Sequence, residues 1–422
     1  MKVYHGETGK LLAEISDESK DAKGLNLSGA SFEGVSLDGW NFSGADLSGA
    51  RFFGCQIRQC NFDGAVLRGA DFRESRILLA HCQDGDMTQV KMTGVGISRS
   101  IFKGTSFRDA ILKDVHIGAS YGSLSDFSKA HLSHVNFSDV DLGRSRFQEA
   151  KLDQVKCDKK VSLQDAVFSE SSFHVVTFEG TNLMGANFFK VKGQDVAFVE
   201  SNLSGACLDF ATFHDSCFPR ALLYGVSAEG LNVPYADFER AKLSNGYFVG
   251  ANFSGATLQN ATVDRADFRK ATLSCADLSQ SSMEKVNGKD ANFFRANLKE
   301  VNASSSNFTR ANLSDVDMPR STLIGTRILD ANLNGTNLDE AYFNEADLSG
   351  SHIVGASICN AEFYGGNISG VDFSRSDLSG TSFKKVLGSE SVDFSDTIQE
   401  GTEFDWSGST NDVDEDEALS PS

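Results

Sequence analysis

The sequence predicts an all-β solenoid in which the chain winds through stacked, four-sided coils. A bulky apolar residue, here called the centre, recurs every five residues, and a small residue precedes it by two positions. The stretch GANFSGATLQNATVDRADFRKATLSCADLSQ, from Gly250 to Gln280, shows both features, since Ala251 precedes Phe253 and Ala256 precedes Leu258. Centres of like shape also recur every twenty residues, which indicates four units per coil.

Each five-residue unit is expected to be a very short strand followed by a corner. A period of 3.6 residues would indicate an α-helix and a period of 2 an ordinary strand, and neither fits this sequence. The small residue and the centre are two positions apart, so in extended backbone both point to the same side, into the coil. The residue between them points outward. The remaining two residues, often Ser-Gly or Asp-Gly, favour a turn.

The twenty-residue columns identify the side chains that stack in the core. Similar side chains lie above one another when parallel strands stack at about 4.8 Å. The predicted structural core stack is Phe178, Phe198, Phe218 and Phe238. Centres run from residue 27 to 157 and, after a one-residue shift, from 163 to 383, which corresponds to about 18 coils of four units.

Three short stretches carry a resemblance to a known family. ADLSGARF (45–52), ANFSGATL (251–258) and ADLSGSHI (346–353) are similar to the pentapeptide-repeat family, whose motif is Ala-(Asp/Asn)-Leu-X-X. The resemblance covers about residues 25–383. It implies a right-handed quadrilateral parallel β-helix, and the handedness comes from the family alone. The N-terminal segment also resembles the leader of bacterial and phage-encoded members.

The chain is expected to divide into a capped solenoid and a tail. Residues 2–15, KVYHGETGKLLAEI, predict two short strands around a turn. Residues 1–24 are therefore assigned to an N-terminal hairpin cap, which would cover the exposed strand edge of the first coil. The predicted segments that follow are the first register (25–157), a one-residue insertion (158–162), the second register (163–383), a C-terminal cap (384–406) and an acidic disordered tail (407–422).

Several units with weak centres predict local irregularity. The centre is a glycine at Gly122, Gly193 and Gly288. In the segment VSAEGLNVPYADF (226–238) the centre is Ala228, a leucine occupies a small-residue position, and a proline follows. A loop or bulge is predicted in this segment.

The charge of the chain excludes some functions. A net charge of −19 argues against direct nucleic-acid binding, because phosphate groups need a basic surface. Residues 27–157 contain 15 acidic and 15 basic residues, whereas residues 163–383 contain 26 acidic and 16 basic residues. The chain has no long apolar run and no signal-peptide pattern at its N-terminus, so we expect no membrane span and a cytoplasmic location. Secretion by a dedicated system or incorporation into a virion stays open.

The residues that could carry chemistry favour structural roles. Four of the eight cysteines occupy inward positions, where cysteine packs as a small hydrophobe. These are Cys55, Cys60, Cys82 and Cys157. Only His131 and His134 lie near each other in the sequence, and a zinc site needs three or four converging ligands. No nucleophile or phosphate-binding motif occurs, so neither a metal nor a cofactor is predicted, and the chain is expected not to be an enzyme.

One acidic segment has a functional interpretation. Residues 330–377 carry outward acids and a single basic residue, Arg375. The predicted partner-binding acidic face comprises Asp330, Asp339, Glu340, Glu345, Asp347, Glu362, Asp372 and Asp377. The alternative interpretation is a solvated surface that keeps the protein soluble.

Three functions follow from these observations. The first is a non-catalytic, rod-like scaffold that presents flat faces to a protein partner, which is the usual role of solenoids. The second comes from the resemblance, because the quinolone-resistance pentapeptide proteins are thought to imitate DNA and occupy the DNA site of gyrase. This chain differs from them in its neutral first third, its greater length and its lack of an apolar C-terminal dimerisation helix. The third is a phage virion component or a secreted effector.

Overall fold

The computed structural model describes residues 1–407 and is a parallel β-solenoid of about 18 turns. The predicted fold class is confirmed. Paired residues lie twenty positions apart, as in Ile57 with Ile77 and Asn252 with Thr272. Since each coil holds four five-residue units, the coil has four sides. Of the predicted acidic tail, residues 408–422 lie outside the described residues.

The strands are short, as the five-residue unit requires. They are β1 (Lys2–His5), β2 (Leu11–Glu14), β3 (Ala30–Ser31), β4 (Ser36–Asp38), β5 (Gln56–Arg58), β6 (Arg76–Leu78), β7 (Lys91–Thr93), β8 (Gly96–Ser98), β9 (Ile111–Lys113), β10 (His116–Tyr121), β11 (His131–Ser133), β12 (Asn136–Asp141), β13 (Lys151–Asp153), β14 (Lys156–Cys157), β15 (Ser172–Phe178), β16 (Lys192–Ala197), β17 (Thr212–His214), β18 (Ser382–Lys384) and β19 (Glu403–Asp405). A 3-10 helix spans Ser389–Ser391.

The chain forms two compact units, Met1–Ala236 and Asp237–Ser422. In the first unit, β4 to β17 make one 14-stranded sheet in the order β4-β5-β6-β8-β10-β12-β14-β15-β13-β11-β9-β7, with β16 paired to β15 and β17. In the second unit the coils are joined mostly by single parallel bridges, such as Asn292 with Asn312. At most corners the second residue after the centre has a positive φ, for example 66° at Gly255 and 58° at Arg265. Glycine adopts this conformation most readily.

A hairpin precedes the first coil. Strands β1 and β2 are antiparallel, with Lys2 opposite Glu14. Strand β1 also pairs antiparallel with β3, where Tyr4 lies opposite Ser31. The Val3 side chain is buried. The hairpin therefore covers backbone of the first coil that would otherwise be an open strand edge.

The pairing distance changes from twenty to twenty-one residues at two places. Asn136 pairs with Lys156, whereas Lys156 pairs with Thr177, so one residue is inserted after β14. Near the insertion, the Lys159 Nζ lies 3.1 Å from Glu200. A second single-residue shift occurs beside the 3-10 helix, because Phe383 pairs with Phe404. In both places the columns of inward side chains continue in the new register.

The predicted core stack lies inside the coils. In the first unit the ring centroids of Phe178 and Phe198 are 5.2 Å apart, and those of Phe198 and Phe218 are 4.7 Å apart, with nearly parallel planes. In the second unit Phe238 is fully buried, and its ring is tilted against Phe253 at 5.4 Å. The four phenylalanines are thus interior residues of their respective units.

The glycine centres are filled by phenylalanines of neighbouring coils. A Cβ atom on Gly122 would lie 1.9 Å from the Phe102 ring, and one on Gly193 would lie 2.5 Å from the Phe213 ring. A Cβ atom on Gly288 would meet an aromatic ring in the same way. These units are therefore closely packed rather than weak.

The predicted loop or bulge in 226–238 is wrong for the part that lies in the first unit. Thr212 pairs with Asn232 at the ordinary spacing of twenty residues. Leu231 is only 1% exposed, in a position that is usually small. We attribute the regular coil to this leucine, because it supplies apolar volume that Ala228 lacks.

Serine and threonine at small inward positions direct their hydroxyl groups to the backbone. The Ser306 Oγ donates to the Met283 carbonyl at 2.7 Å, and the Ser125 Oγ donates to the Phe102 carbonyl at 2.8 Å. Within the described part of the chain, Ser281 Oγ is the one buried side-chain oxygen that lacks a hydrogen-bond partner. A buried polar group without a partner costs about 1–3 kcal/mol.

Replacing Ser281 with alanine is expected to raise the free energy of unfolding by about 1 kcal/mol, because an unpaired hydroxyl is removed from the core. The matched control is Ser306→Ala, which removes a satisfied hydroxyl and should lower the free energy of unfolding by about 1 kcal/mol. Urea denaturation of both variants measures these changes. Destabilisation by Ser281→Ala equal to that by Ser306→Ala would contradict the expected difference.

Candidate protein-interaction surface

Outward side chains form columns that run from coil to coil. On one side of the second unit, Asn312 Nδ2 donates to Asn292 Oδ1 at 3.0 Å, and Asn332 Nδ2 donates to Asn312 Oδ1 at 3.5 Å. Such a column arises because the residue between the small position and the centre always points outward. Each side of a coil therefore offers a partner a regular surface with one such residue per strand.

The eight predicted acids are divided among all four sides of the second unit. Asp339 and Asp377 lie on one side, Glu362 on the next, Asp347 on the third and Asp372 on the fourth. The other three occupy corners with positive φ; these are Asp330, Glu340 and Glu345. The acids thus do not form a single face. A continuous segment passes round every side, and only residues about twenty positions apart lie above one another.

Several of these acids have structural partners. Asp377 Oδ1 accepts hydrogen bonds from the hydroxyl and the backbone N–H of Ser379, at 2.5 and 3.0 Å, and these bonds hold the pKa of Asp377 below its usual value. Asp347 accepts the same pair of bonds from Ser349. Glu340 pairs with Arg320 at 3.0 Å. These carboxylates stabilise corners and coil contacts in addition to carrying charge.

The structure reveals a more regular acidic feature, which we call the acidic column. Its members are Asp237, Asp277, Asp317 and Asp377, which occupy one column of outward positions in the second unit. The residues between them in the column are neutral: Thr257, Asn297, Asn337 and Ser357. At about 4.8 Å per coil, Asp277 and Asp317 are about 10 Å apart.

Sequence reasoning missed three members of the acidic column. Acids were counted over the continuous segment 330–377, which contains only Asp377 of this column. Counting acids at intervals of twenty residues from Asp377 would have found Asp317, Asp277 and Asp237. The signal was present in the sequence, in the same period that identified the core stack.

The side that follows the acidic column along the chain carries exposed apolar and aromatic groups. Tyr342 is 42% exposed, Tyr364 is 48% exposed and Ile324 is 39% exposed. They share one side because Thr322, Tyr342 and Glu362 pair in sequence from coil to coil. We call these three residues the tyrosine patch. Glu340, Glu345 and Glu362 border it, and Lys385 Nζ lies 5.5 Å from the centre of the Tyr364 ring, so a partner would meet aromatic surface bordered by charges of both signs.

The four cysteines at inward positions are buried and pack as core residues. All eight are free thiols. Burial raises the pKa of Cys55 and Cys60 to about 11 and that of Cys82 to about 12. Burial also raises the pKa of Cys157. Among the described residues, no group of three or more His, Cys, Asp or Glu side chains has an arrangement that could hold a metal ion.

The exposed and the buried cysteines are expected to differ in their rate of alkylation. The thiolate is the reactive form, so Cys275, which is exposed, should be modified first at about pH 8. Cys82 and Cys157 should react only after denaturant is added, because both are buried and have raised pKa values. Mass spectrometry of alkylated peptides before and after denaturation measures this order. Rapid labelling of Cys157 in the native protein would be the contrary result.

The stacked coils and their outward columns define a β-solenoid built from five-residue repeats. The family model described as Pentapeptide repeats (8 copies) matches segments of the chain that together cover more than half of it. These segments are 26–64, 50–94, 124–156, 221–260, 236–274, 247–284, 271–310, 291–328, 327–363 and 341–380. The chain belongs to the pentapeptide-repeat family.

Solved structures of the same family are similar to this chain over part of its length. HetL, a pentapeptide repeat protein involved in heterocyst differentiation regulation from the cyanobacterium Nostoc sp. strain PCC 7120, is 22% identical, with 55% of this chain and 86% of HetL covered and a TM-score of 0.26. QnrB1, a plasmid-mediated fluoroquinolone resistance protein, is 21% identical, with 48% and 85% covered and a TM-score of 0.25.

Rfr23 from the cyanobacterium Cyanothece 51142 is 21% identical, with 25% of this chain and 82% of Rfr23 covered and a TM-score of 0.21. No curated protein matches the chain. In the part of the chain that the structure describes, no helix has the length and apolar character needed to cross a membrane. The family assignment rests on the repeat matches.

Proposed function

We propose that this protein is a non-catalytic interaction scaffold whose second unit binds a protein partner. The observation that carries the proposal is the placement of the acidic column and the tyrosine patch on consecutive sides of the second unit, with Asp317 and Asp377 on the coils at the two ends of the patch. The solenoid backbone holds both surfaces in regular register. A partner that covers both would present basic groups to the column and an apolar recess to the patch.

The two surfaces would contribute in different ways. Tyrosine adds contact area and a hydroxyl group at protein interfaces, where aromatic residues are enriched. Carboxylates contribute mainly to the rate of association and to specificity, because complementary charge steers the encounter. Binding should therefore weaken with added salt if the acidic column takes part.

Affinity capture from the native host tests the proposal. The variant Asp277→Asn, Asp317→Asn, Asp377→Asn is designed to keep the fold, because asparagine already occupies Asn297 and Asn337 of the same column. The matched control is Asp330→Asn, Asp347→Asn, Asp372→Asn, which makes the same charge change on other sides. We expect the first variant to lose the partner and the control to retain it.

The tyrosine patch is tested by Tyr342→Ser with Tyr364→Ser. Both side chains are exposed, so circular dichroism of the variant should match that of the parent protein. Capture of the same partner by this variant and by the acidic-column variant would reject the proposal. The acids would then serve solubility.

A second candidate is DNA mimicry directed at gyrase or topoisomerase IV. The feature in its favour is the acidic column, whose carboxylates recur along one side about 10–14 Å apart, a wider spacing than that of the phosphates of DNA. A basic DNA-binding groove would attract both by the same electrostatics. A supercoiling assay decides between the candidates. Inhibition or protection at micromolar protein, lost in the acidic-column variant, supports mimicry, and no effect on either enzyme removes it.

A further inference from the structure

A groove crosses one side of the first unit, where strands β4, β5, β6, β8 and β10 lie in parallel. Its volume is about 580 Å³. The floor is the strand backbone at Ile57, Ile77 and Ile97, whose side chains are buried at 1%, 5% and 5% exposure. The groove is open at Gly96, where a Cβ atom would meet nothing within 4 Å. Because the three isoleucine side chains point into the coil, a ligand in this groove would lie against strand backbone between the outward side chains.

The walls of the groove are mainly basic. Arg58 and Arg76 line it at exposed strand positions, and His116 lies at one end. Asp38 is the acidic residue of the lining, at the other end. Arg99 is exposed at the corner beside Ser98. The charge of this groove is therefore positive in a protein whose net charge is −19.

Arginines on other sides of the first unit have acidic partners. Arg51 lies 3.4 Å from Glu7. Arg73 lies 2.6 Å from Asp71, and Arg108 lies 3.4 Å from Asp126. Among the described residues, Arg58 and Arg76 form no ion pair with any carboxylate. Two exposed arginines that line one groove without forming an ion pair are suited to bind carboxylates, since the guanidinium fork matches their geometry.

We propose that this groove, which we call the arginine groove, binds residues 412–417 of a second copy of the protein. That segment, DVDEDE, holds five acidic residues and one valine, and it lies outside the described residues. Its charge complements the basic groups of the groove walls. A second copy can supply the segment whatever the arrangement of the two units. This inference goes beyond the proposed function, because it assigns a binding role to the first unit.

The dimensions of groove and segment agree. The groove crosses five stacked strands, which span about 19 Å at about 4.8 Å per step. An extended stretch of six residues spans at most about 20 Å. The contact is heterologous, because groove and segment are different parts of the chain. Successive copies would therefore associate head to tail.

Two full-length variants test the proposal. The groove variant is Arg58→Glu with Arg76→Glu, and the segment variant is Asp412→Asn, Asp414→Asn, Glu415→Gln, Asp416→Asn, Glu417→Gln. We expect the parent protein to increase in mass with concentration at about 50 mM salt and to lose this association at about 300 mM salt. Each variant alone should associate at least tenfold more weakly when measured by light scattering.

An equimolar mixture of the two variants provides the decisive measurement. One variant retains an intact segment and the other an intact groove, so the mixture should form a one-to-one complex. The control, Arg144→Glu with Arg146→Glu, makes the same charge change on other parts of the first unit and should associate like the parent. Circular dichroism checks that every variant is folded.

Several outcomes would overturn the inference. These are a parent protein whose mass does not change with concentration, association that both variants retain, and a mixture that stays monomeric. Binding of a single-stranded oligonucleotide to the groove in place of the acidic segment would also overturn it. Partner capture through the second unit is measured separately, so loss of either proposal leaves the other standing.

Discussion

Replacing Phe198 with alanine is expected to lower the free energy of unfolding by about 3–5 kcal/mol, the cost of lost transfer energy plus a cavity. Phe198 is fully buried. Its ring stacks on Phe178 and Phe218, and it meets Phe188 and Phe213 edge to face at 5.7 and 5.5 Å. The backbone on every side of this ring belongs to the coil ladder and cannot collapse into the space, so the cavity is expected to remain.

The matched control for Phe198→Ala is Phe210→Ala. Phe210 belongs to the same unit but is 49% exposed, so its truncation should cost less than about 1 kcal/mol. Denaturation measures both changes. Hydrogen exchange should show the loss of protection centred on the coils next to Phe198, because each repeat contacts only its neighbours. Equal destabilisation by both variants would contradict the assignment of Phe198 to a rigid core.

The fold could be predicted from the sequence because the interior of the coil is narrow. The limited interior volume of the coil allows each unit only one small and one bulky inward residue. The sequence therefore repeats with a period of five residues. The twenty-residue column of Phe178, Phe198 and Phe218 then gives the number of sides. Both periods depend on steric limits that apply to every coil, so they persist through single-residue shifts such as the one between Lys156 and Thr177.

The local exceptions could not be predicted, because they depend on contacts between coils. Gly122 looks like a weak centre in the sequence, yet the ring of Phe102 occupies the space beside it. Whether a neighbour turns its side chain into a vacant position depends on rotamers and not on the period. In the same way, Leu231 looks misplaced when its unit is considered alone.

The candidate surfaces were predicted less completely than the core. The segment 330–377 contains many acidic residues, but they lie on all four sides of the coil. The acidic column is found only when residues twenty positions apart are compared. The arginine groove has no signal in the count of 15 acidic and 15 basic residues over 27–157. Its basic character depends on which arginines form ion pairs. Arg73 pairs with Asp71, whereas Arg58 forms no ion pair within residues 1–407.

Replacing Ala261 with phenylalanine is expected to lower the free energy of unfolding by at least about 1–3 kcal/mol, the usual cost of an overpacked core. Ala261 is 1% exposed. The residues one coil away in its column are Ala241 and Ser281, which are also buried. These neighbours are small because the backbone passes close by at this position. A phenyl ring would therefore have to displace backbone as well as side chains.

The control for this variant is Thr272→Phe, which introduces the same ring at an outward strand position between Asn252 and Asn292. It should change the free energy of unfolding by less than about 0.5 kcal/mol, as surface substitutions usually do. Thermal unfolding followed by circular dichroism compares the two variants. If Ala261→Phe melts like the parent protein, the small inward positions are not limited by space. The steric explanation of the five-residue period would then fail, even though the coil itself is present.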